Sequence, residues 1–184
     1  HYHRYKEDVA LMKELGVKAY RLSVSWPRVM NAEGQVNPKG VQFYKDLVTE
    51  LVNAGIEPMV TLFHWNLPMW MYDQGGWKNE KVVKMFADYT KVVVDALSDK
   101  VKYWMTINEP ACFVGLGYIM GTHAPFENHM DDYAFFEGDY KKIIRNVLLS
   151  HGTAVQVIRE NAKLEPKIGV ALNENSNIPK DNTE

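Results

Sequence analysis

Three features of this sequence predict an α/β fold built on a parallel sheet. Segments with helical spacing of apolar residues alternate with short strand-like runs along the chain. Those runs carry or end on Arg, His, Asn and Glu. The first of them lacks the Gly-rich turn by which an open doubly wound sheet announces its ligand site. Together these favour a (β/α)8 barrel, whose repeating unit is a strand followed by a helix.

The elements follow in order. Tyr5, Val9 and Met12 recur at helical spacing over Tyr5–Leu15, and Gly16 supplies a stop. Ala19–Trp26 reads as a strand, with Tyr20, Leu22, Val24 and Trp26 on one face and Arg21, Ser23 and Ser25 on the other. Gly40–Ala54 reads as a helix ended by Gly55, and Pro58–His64 as the second strand. Gly75-Gly76 marks a turn. Glu80–Leu97 is a helix and Tyr103–Asn108 the third strand. A loop rich in Gly, Pro and His spans Gly115–Asn128. A long helix over Tyr140–Ala162 then leads to a fourth strand, Lys167–Asn173. No low-complexity segment interrupts the pattern. The 184 residues read as one domain, and four strands amount to about half of a barrel that takes about 250 residues. Half a barrel leaves two strand edges unpaired, a state that soluble proteins avoid.

Composition narrows the functional classes. The hydrophobic fraction of 46% is enough for one sizeable core, and the net charge is −2 with acids and bases interspersed. No basic stripe points to nucleic acid, and no apolar run approaches the roughly 20 residues that span a membrane. Cys112 is the sole cysteine, so no intrachain disulfide forms, and a reducing, cytoplasmic location is the expectation. His1 and His3 stand two apart at a terminus, and no other histidine–carboxylate group has ligand spacing, so neither metal nor cofactor is expected. The chain opens at His1, not Met, on charged, helix-like sequence without the plan of a signal peptide, so its N-terminus reads as truncated.

Polar residues cluster at the strand ends, where a (β/α)8 barrel keeps its active site. Arg21 lies in the first strand, His64 ends the second, Asn108-Glu109 ends the third and Asn173 the fourth. Phe63, Trp65, Trp70, Trp77 and Trp104 lie beside them. Sugar rings present apolar faces to aromatic side chains and hydroxyl edges to polar ones, so this mixture suits a carbohydrate; with one cation, it suits a phosphate poorly.

Five ordered runs sharpen this reading: His3-Arg4-Tyr5-Lys6-Glu7-Asp8, Tyr20-Arg21-Leu22-Ser23-Val24-Ser25-Trp26, Thr61-Leu62-Phe63-His64-Trp65-Asn66-Leu67-Pro68, Gly75-Gly76-Trp77 and Thr106-Ile107-Asn108-Glu109-Pro110. From His1 to about Asn173 the chain resembles family 1 of the glycoside hydrolases, the β-glucosidase and 6-phospho-β-glucosidase family. The resemblance implies an incomplete (β/α)8 barrel covering strands two to five. It implies that Glu109 is the general acid/base and that Arg21 orients a nucleophilic glutamate. It further implies that Asn108 bonds the sugar 2-hydroxyl and that His64, with Trp65 beside it, binds hydroxyls. The nucleophile belongs to a later strand, in a Thr-Glu-Asn-Gly-type motif absent here. Retaining hydrolysis needs two carboxyls roughly 5–5.5 Å apart, so the chain alone is expected to be inactive. Its partners would be a small β-glycoside or oligosaccharide and the remainder of the barrel, from a C-terminal segment or a second chain. Asn66 departs from the usual aspartate of the family. Pro110 and Trp65-Asn66-Leu67 lean towards unphosphorylated sugars.

Each residue has a plainer reading as well. In isolation His64 reads as a satisfied core histidine, and Glu109 as a surface glutamate before a proline. Arg21 reads as the partner of a structural acid such as Glu57 or Asp88. Trp26, Trp70 and Trp104 read as core, Trp77 as a structural plug, Cys112 as a small buried hydrophobe. His123 and Phe126 either line the pocket mouth or serve a structural loop. At the level of the whole chain the alternatives to a β-glucosidase-like enzyme are a 6-phospho-β-glucosidase and a non-catalytic, sugar-binding half-barrel.

Overall fold

The computed structural model describes residues 1–174. Its centre is a four-stranded parallel sheet of β1 (Ala19–Ser23), β4 (Glu57–Phe63), β5 (Tyr103–Asn108) and β6 (Lys167–Ala171), in that spatial order. Between β1 and β4 the chain adds a small antiparallel hairpin, β2 (Met30–Ala32) and β3 (Gln35–Val36), turned at Gly34 with φ 69°. Neighbouring sheet strands are consecutive in the chain apart from that hairpin, and each crossover contains a helix. That is the winding of a (β/α)8 barrel, traversed through four strands.

The crossover helices form where the sequence puts apolar residues on one stripe. α3 (Pro38–Asn53) starts with a proline in its first turn, where no backbone N–H is missed, and buries Phe43, Tyr44, Leu47, Val48 and Leu51. α5 (Lys81–Leu97) buries Val82, Met85, Phe86, Tyr89, Val93, Val94 and Leu97. α8 (Asp139–Asn161) buries Ile143, Val147, Ala154 and Ile158, and packs along α5. α1 (Tyr5–Glu14) rests on α3 through Val9. No helix among the described residues is long and apolar enough to cross a membrane.

The helices cover one face of the sheet. In β1 Leu22 joins the core, while Ala19, Arg21 and Ser23 are exposed on the opposite face; Lys167 and Gly169 of β6 are exposed likewise. That open face corresponds to a barrel interior.

Several boundaries differ from the sequence reading. β1 stops at Ser23, and Trp26 opens a short helix, α2 (Trp26–Val29), instead of extending the strand. Pro27 has no N–H to give a ladder, so it ends the pairing. Trp26 is fully buried and stacks on Tyr89 at 5.0 Å. β4 ends one residue before His64, and β6 ends at Ala171, two before Asn173. The segment read as a loop from Gly115 is partly helical. A short helix α4 (Met69–Tyr72) precedes the Gly76–Lys78 turn, α6 (Pro110–Val114) follows β5 and runs into a π-helical turn, Gly115–Ile119, and α7 (Tyr133–Glu137) leads into α8.

Candidate active site

The ends of β1, β4 and β5 bring three polar side chains together. Arg21 Nε donates to Thr61 Oγ1 at 3.0 Å, and its Nη2 donates to Asn108 Oδ1 at 2.5 Å. A guanidinium has donors only, so it fixes the orientation of the Asn108 amide. Asn108 Nδ2 therefore faces His64 Nε2, 3.4 Å away, and that ring nitrogen must be the unprotonated one. Burial, then the Arg21 guanidinium, holds the His64 imidazole below its ordinary pKa, against an opposing pull from Glu109. Neutral His64 thus keeps its other nitrogen as a donor.

The residues after the strands are turned by left-handed backbone. Trp65 has φ 74° and Glu109 φ 43°. Such a conformation costs a non-glycine residue on the order of 1–3 kcal/mol and persists where the surroundings impose it. At Trp65 the indole Nε1 donates to Asn108 O at 2.9 Å. At Glu109 the backbone N–H donates to Ala171 O at 2.7 Å before the chain enters α6. A register shift between Met105 and Asn108 lies at the same point of the β5–β6 pair. Thr106 meets His151 Nδ1 of α8 at 2.7 Å, tying this bulged segment to the helix layer. Burial, and then the neighbouring Glu109 carboxylate, pushes the Cys112 thiol pKa up.

The sequence-predicted residues are therefore partly assembled. Arg21, His64 and Asn108 meet directly, Trp65 joins through the Asn108 carbonyl, and Glu109 is adjacent in the chain. Asn173 stands apart: its Nδ2 reaches Cys112 Sγ at 3.4 Å. The structural acids weighed for Arg21 are taken, Glu57 by Lys102 at 3.5 Å and Asp88 by Lys84 at 2.6 Å. The Arg21 partners are instead neutral, Thr61 and Asn108. Thr61 opens the third of the five sequence runs, but its residue type there carries no sign that it accepts from Arg21. Arg21, Ser23, Thr61 and His64 line a cavity of about 370 Å³. Trp26 and Trp104 are core, Trp77 is a buried plug, and Trp70 is part-buried with its indole donating to Met30 O at 3.3 Å. His123 lies edge-on to Trp65, with centroids 5.6 Å apart. Among the described residues no three His, Cys, Asp or Glu side chains are grouped as metal ligands.

The sequence pattern of Glycosyl hydrolase family 1 matches residues 1–184. The chain belongs to glycosyl hydrolase family 1. Beta-glucosidase A of Acetivibrio thermocellus is 42% identical over 180 residues, covering 97% of this chain and 38% of that protein. Beta-glucosidase A of Thermotoga maritima is 41% identical over 174 residues, covering 94% and 37%. Among solved structures, the Thermotoga maritima β-glucosidase in complex with deoxynojirimycin superposes with a TM-score of 0.90 at 40% identity, over 100% of this chain and 40% of that one. This family 1 chain thus spans about two fifths of the length of the relatives it matches, and its sheet is part of a (β/α)8 barrel.

Proposed function

We propose that this chain carries the acid/base half of a retaining β-glycosidase site that acts on terminal, unphosphorylated β-D-glycosides, and that residues 1–184 are one portion of a single catalytic barrel domain. One observation carries the reading: Arg21 and His64, from different strands, converge on the Asn108 amide, with Glu109 the next residue. The names of the relatives, β-glucosidases, support the substrate class.

In this reading Glu109 gives its proton to the glycosidic oxygen as a carboxylate from a later strand attacks the anomeric carbon. The carbon–oxygen bond breaks and a glycosyl ester forms. Glu109, now a carboxylate, takes a proton from water as the water attacks the ester, which restores both groups. Asn108 and His64 hold sugar hydroxyls, with Trp65 beside them. Arg21 orients Asn108 and supplies the positive charge against which the attacking carboxylate sits. Asn173 is assigned a weaker, outer contact with substrate. The other half of the barrel is the required partner.

Two measurements test this. The purified chain is expected to show no turnover of an aryl β-D-glucoside; turnover that disappears in Glu109→Gln would refute the division of labour. In a protein carrying both halves, Glu109→Gln is expected to lower kcat for a poor leaving group by about 10²-fold or more, the ordinary worth of general acid–base catalysis. An unchanged kcat would remove Glu109 from the role.

A further inference from the structure

Residues 121–129 follow the π-helical turn and are held by a polar cluster that the chemistry above does not use. The Glu127 side chain, 13% exposed, accepts two hydrogen bonds from Lys78 Nζ, both at 2.9 Å. Tyr72 Oη donates to it at 3.3 Å, and His129 Nε2 lies 3.1 Å away. His129 stacks flat on Phe135 at 4.1 Å, and its Nδ1 faces Asp132 Oδ2 at 3.1 Å. Asp132 in turn caps α7 by accepting from Phe135 N at 3.1 Å. Burial alone would push the Glu127 carboxyl up, but the bonds from Lys78, His129 and Tyr72 hold it below the usual carboxylate value.

This arrangement is unlike an exposed ion pair, which stabilises little. It joins α4, the Gly76–Lys78 turn and the loop at one carboxylate, and reaches α7 through His129. The backbone follows: Glu127 N donates to Gly117 O and His129 N to Ile119 O, both at 3.0 Å. Gly117 lies so close that a Cβ there would meet Ala124 O at 2.6 Å. The segment fixed in this way bears His123, edge-on to Trp65, and Phe126, held at φ 64° although 69% exposed. Phe126 walls a cavity of about 390 Å³ together with Trp65, Leu67, Met69 and Tyr72. Trp65 is common to both places, since its Nε1 holds Asn108 O and its ring lines the cavity.

We propose that Glu127 is a positioning residue: with Lys78, Tyr72 and His129 it latches the 121–129 segment so that Phe126 walls the cavity beside Trp65 and His123 stays edge-on to the Trp65 ring, and so sets the preference for an aromatic over a small leaving group. The leaving-group half of this statement rests on the glycosidase reading; the latch does not.

The test compares the chain with Glu127→Gln and Lys78→Met by two readouts. The first is amide exchange at Glu127 and His129, with β5 amides as a control for intact folding. The second is NMR-detected binding of methyl and phenyl β-D-glucoside. In both variants the two loop amides are expected to exchange at least tenfold faster while β5 is unchanged. The preference for phenyl over methyl is expected to fall at least fivefold, with methyl glucoside affinity held within twofold. Gly117→Ala, which displaces the loop and leaves every charge in place, is expected to lose the same preference. Lys78→Arg is expected to keep it. Unchanged loop exchange in Glu127→Gln overturns the latch. Faster exchange with an unaltered preference overturns its role in specificity. Failure of the unsubstituted chain to bind either glucoside overturns the leaving-group assignment through the glycosidase reading, and the exchange result then judges the latch alone.

Discussion

Arg21 Nη2 reaches across β4 to donate to Asn108 Oδ1, joining the first strand of the sheet to the third. This contact decides which way the Asn108 amide points and, through it, which nitrogen of His64 is free to bind. Removing the guanidinium lets the amide rotate. Under the proposed glycosidase reading, Arg21→Met is expected to weaken binding of a β-D-glucoside by roughly tenfold or more, since a hydrogen bond to a charged group contributes about 1.5–3 kcal/mol. Arg21→Lys is expected to restore little, because one ammonium does not reproduce the fork to Thr61 and Asn108. Calorimetric titration measures both; equal affinities in all three proteins would separate Arg21 from the site.

His64 should give the site an acid limit. Its folded pKa lies below the ordinary value. The unfolded chain therefore binds more protons in the interval between the two values, and stability rises with pH across it. The contribution is complete above the ordinary histidine pKa and is lost as pH falls towards the folded one. Protonation also sets an N–H against the Asn108 Nδ2 donor. NMR titration of the His64 ring is expected to show a midpoint below that of a model histidine, with ligand affinity falling over the same interval; a raised midpoint would contradict the orientation assigned to Asn108.

Glu127 predicts a second, lower pH effect. Its depressed folded pKa means that its stabilisation is present above the ordinary glutamate value and is lost as pH falls through the folded value. Amide exchange at Glu127 and His129, corrected for intrinsic rates, is expected to lose protection on acidification before the β5 amides do. Simultaneous loss at both places would show that the loop has no separate latch.

Tyr89 holds the strand ends from behind. Its buried hydroxyl lies 2.8 Å from Leu62 O and 3.1 Å from Val24 O, bridging the exits of β1 and β4 just before His64. Tyr89→Phe deprives two buried carbonyls of their donor and is expected to cost about 1–3 kcal/mol in chemical denaturation. A loss below about 0.3 kcal/mol would indicate that these carbonyls find water instead.

The strand and helix order was legible because each crossover helix buries one stripe and each strand is bounded by turn residues. Phe43, Leu47 and Leu51 in α3, or Met85, Tyr89 and Val93 in α5, announce their faces at spacings of four. The hairpin Met30–Ala32/Gln35–Val36 was not legible, since strands of three and two residues have no period to detect. Trp26 was misplaced for a related reason: an apolar residue two positions after Val24 continues the alternation, and only Pro27 behind it says that the ladder has ended. The π-helical turn after α6 was hidden in a Gly-rich run that reads as loop. In the site, the residue types at the strand ends pointed to Arg21, His64 and Glu109, but the partner of Arg21 did not emerge. A guanidinium in a strand calls for an anion, and the structure supplies two neutral acceptors.

By itself the sequence determined the α/β alternation, the stripe each helix buries and the chemical character of the strand ends, because these depend on spacing within ten or so residues. It also determined the family, through five runs in order. Only the tertiary structure decided that Arg21 meets Asn108 across 87 residues of chain, that Trp65 and Glu109 turn through left-handed backbone, and that Glu127 holds a loop to Lys78 across 49. Those outcomes depend on which strand lies beside which and on where a side chain ends in space, and local periodicity carries no record of either.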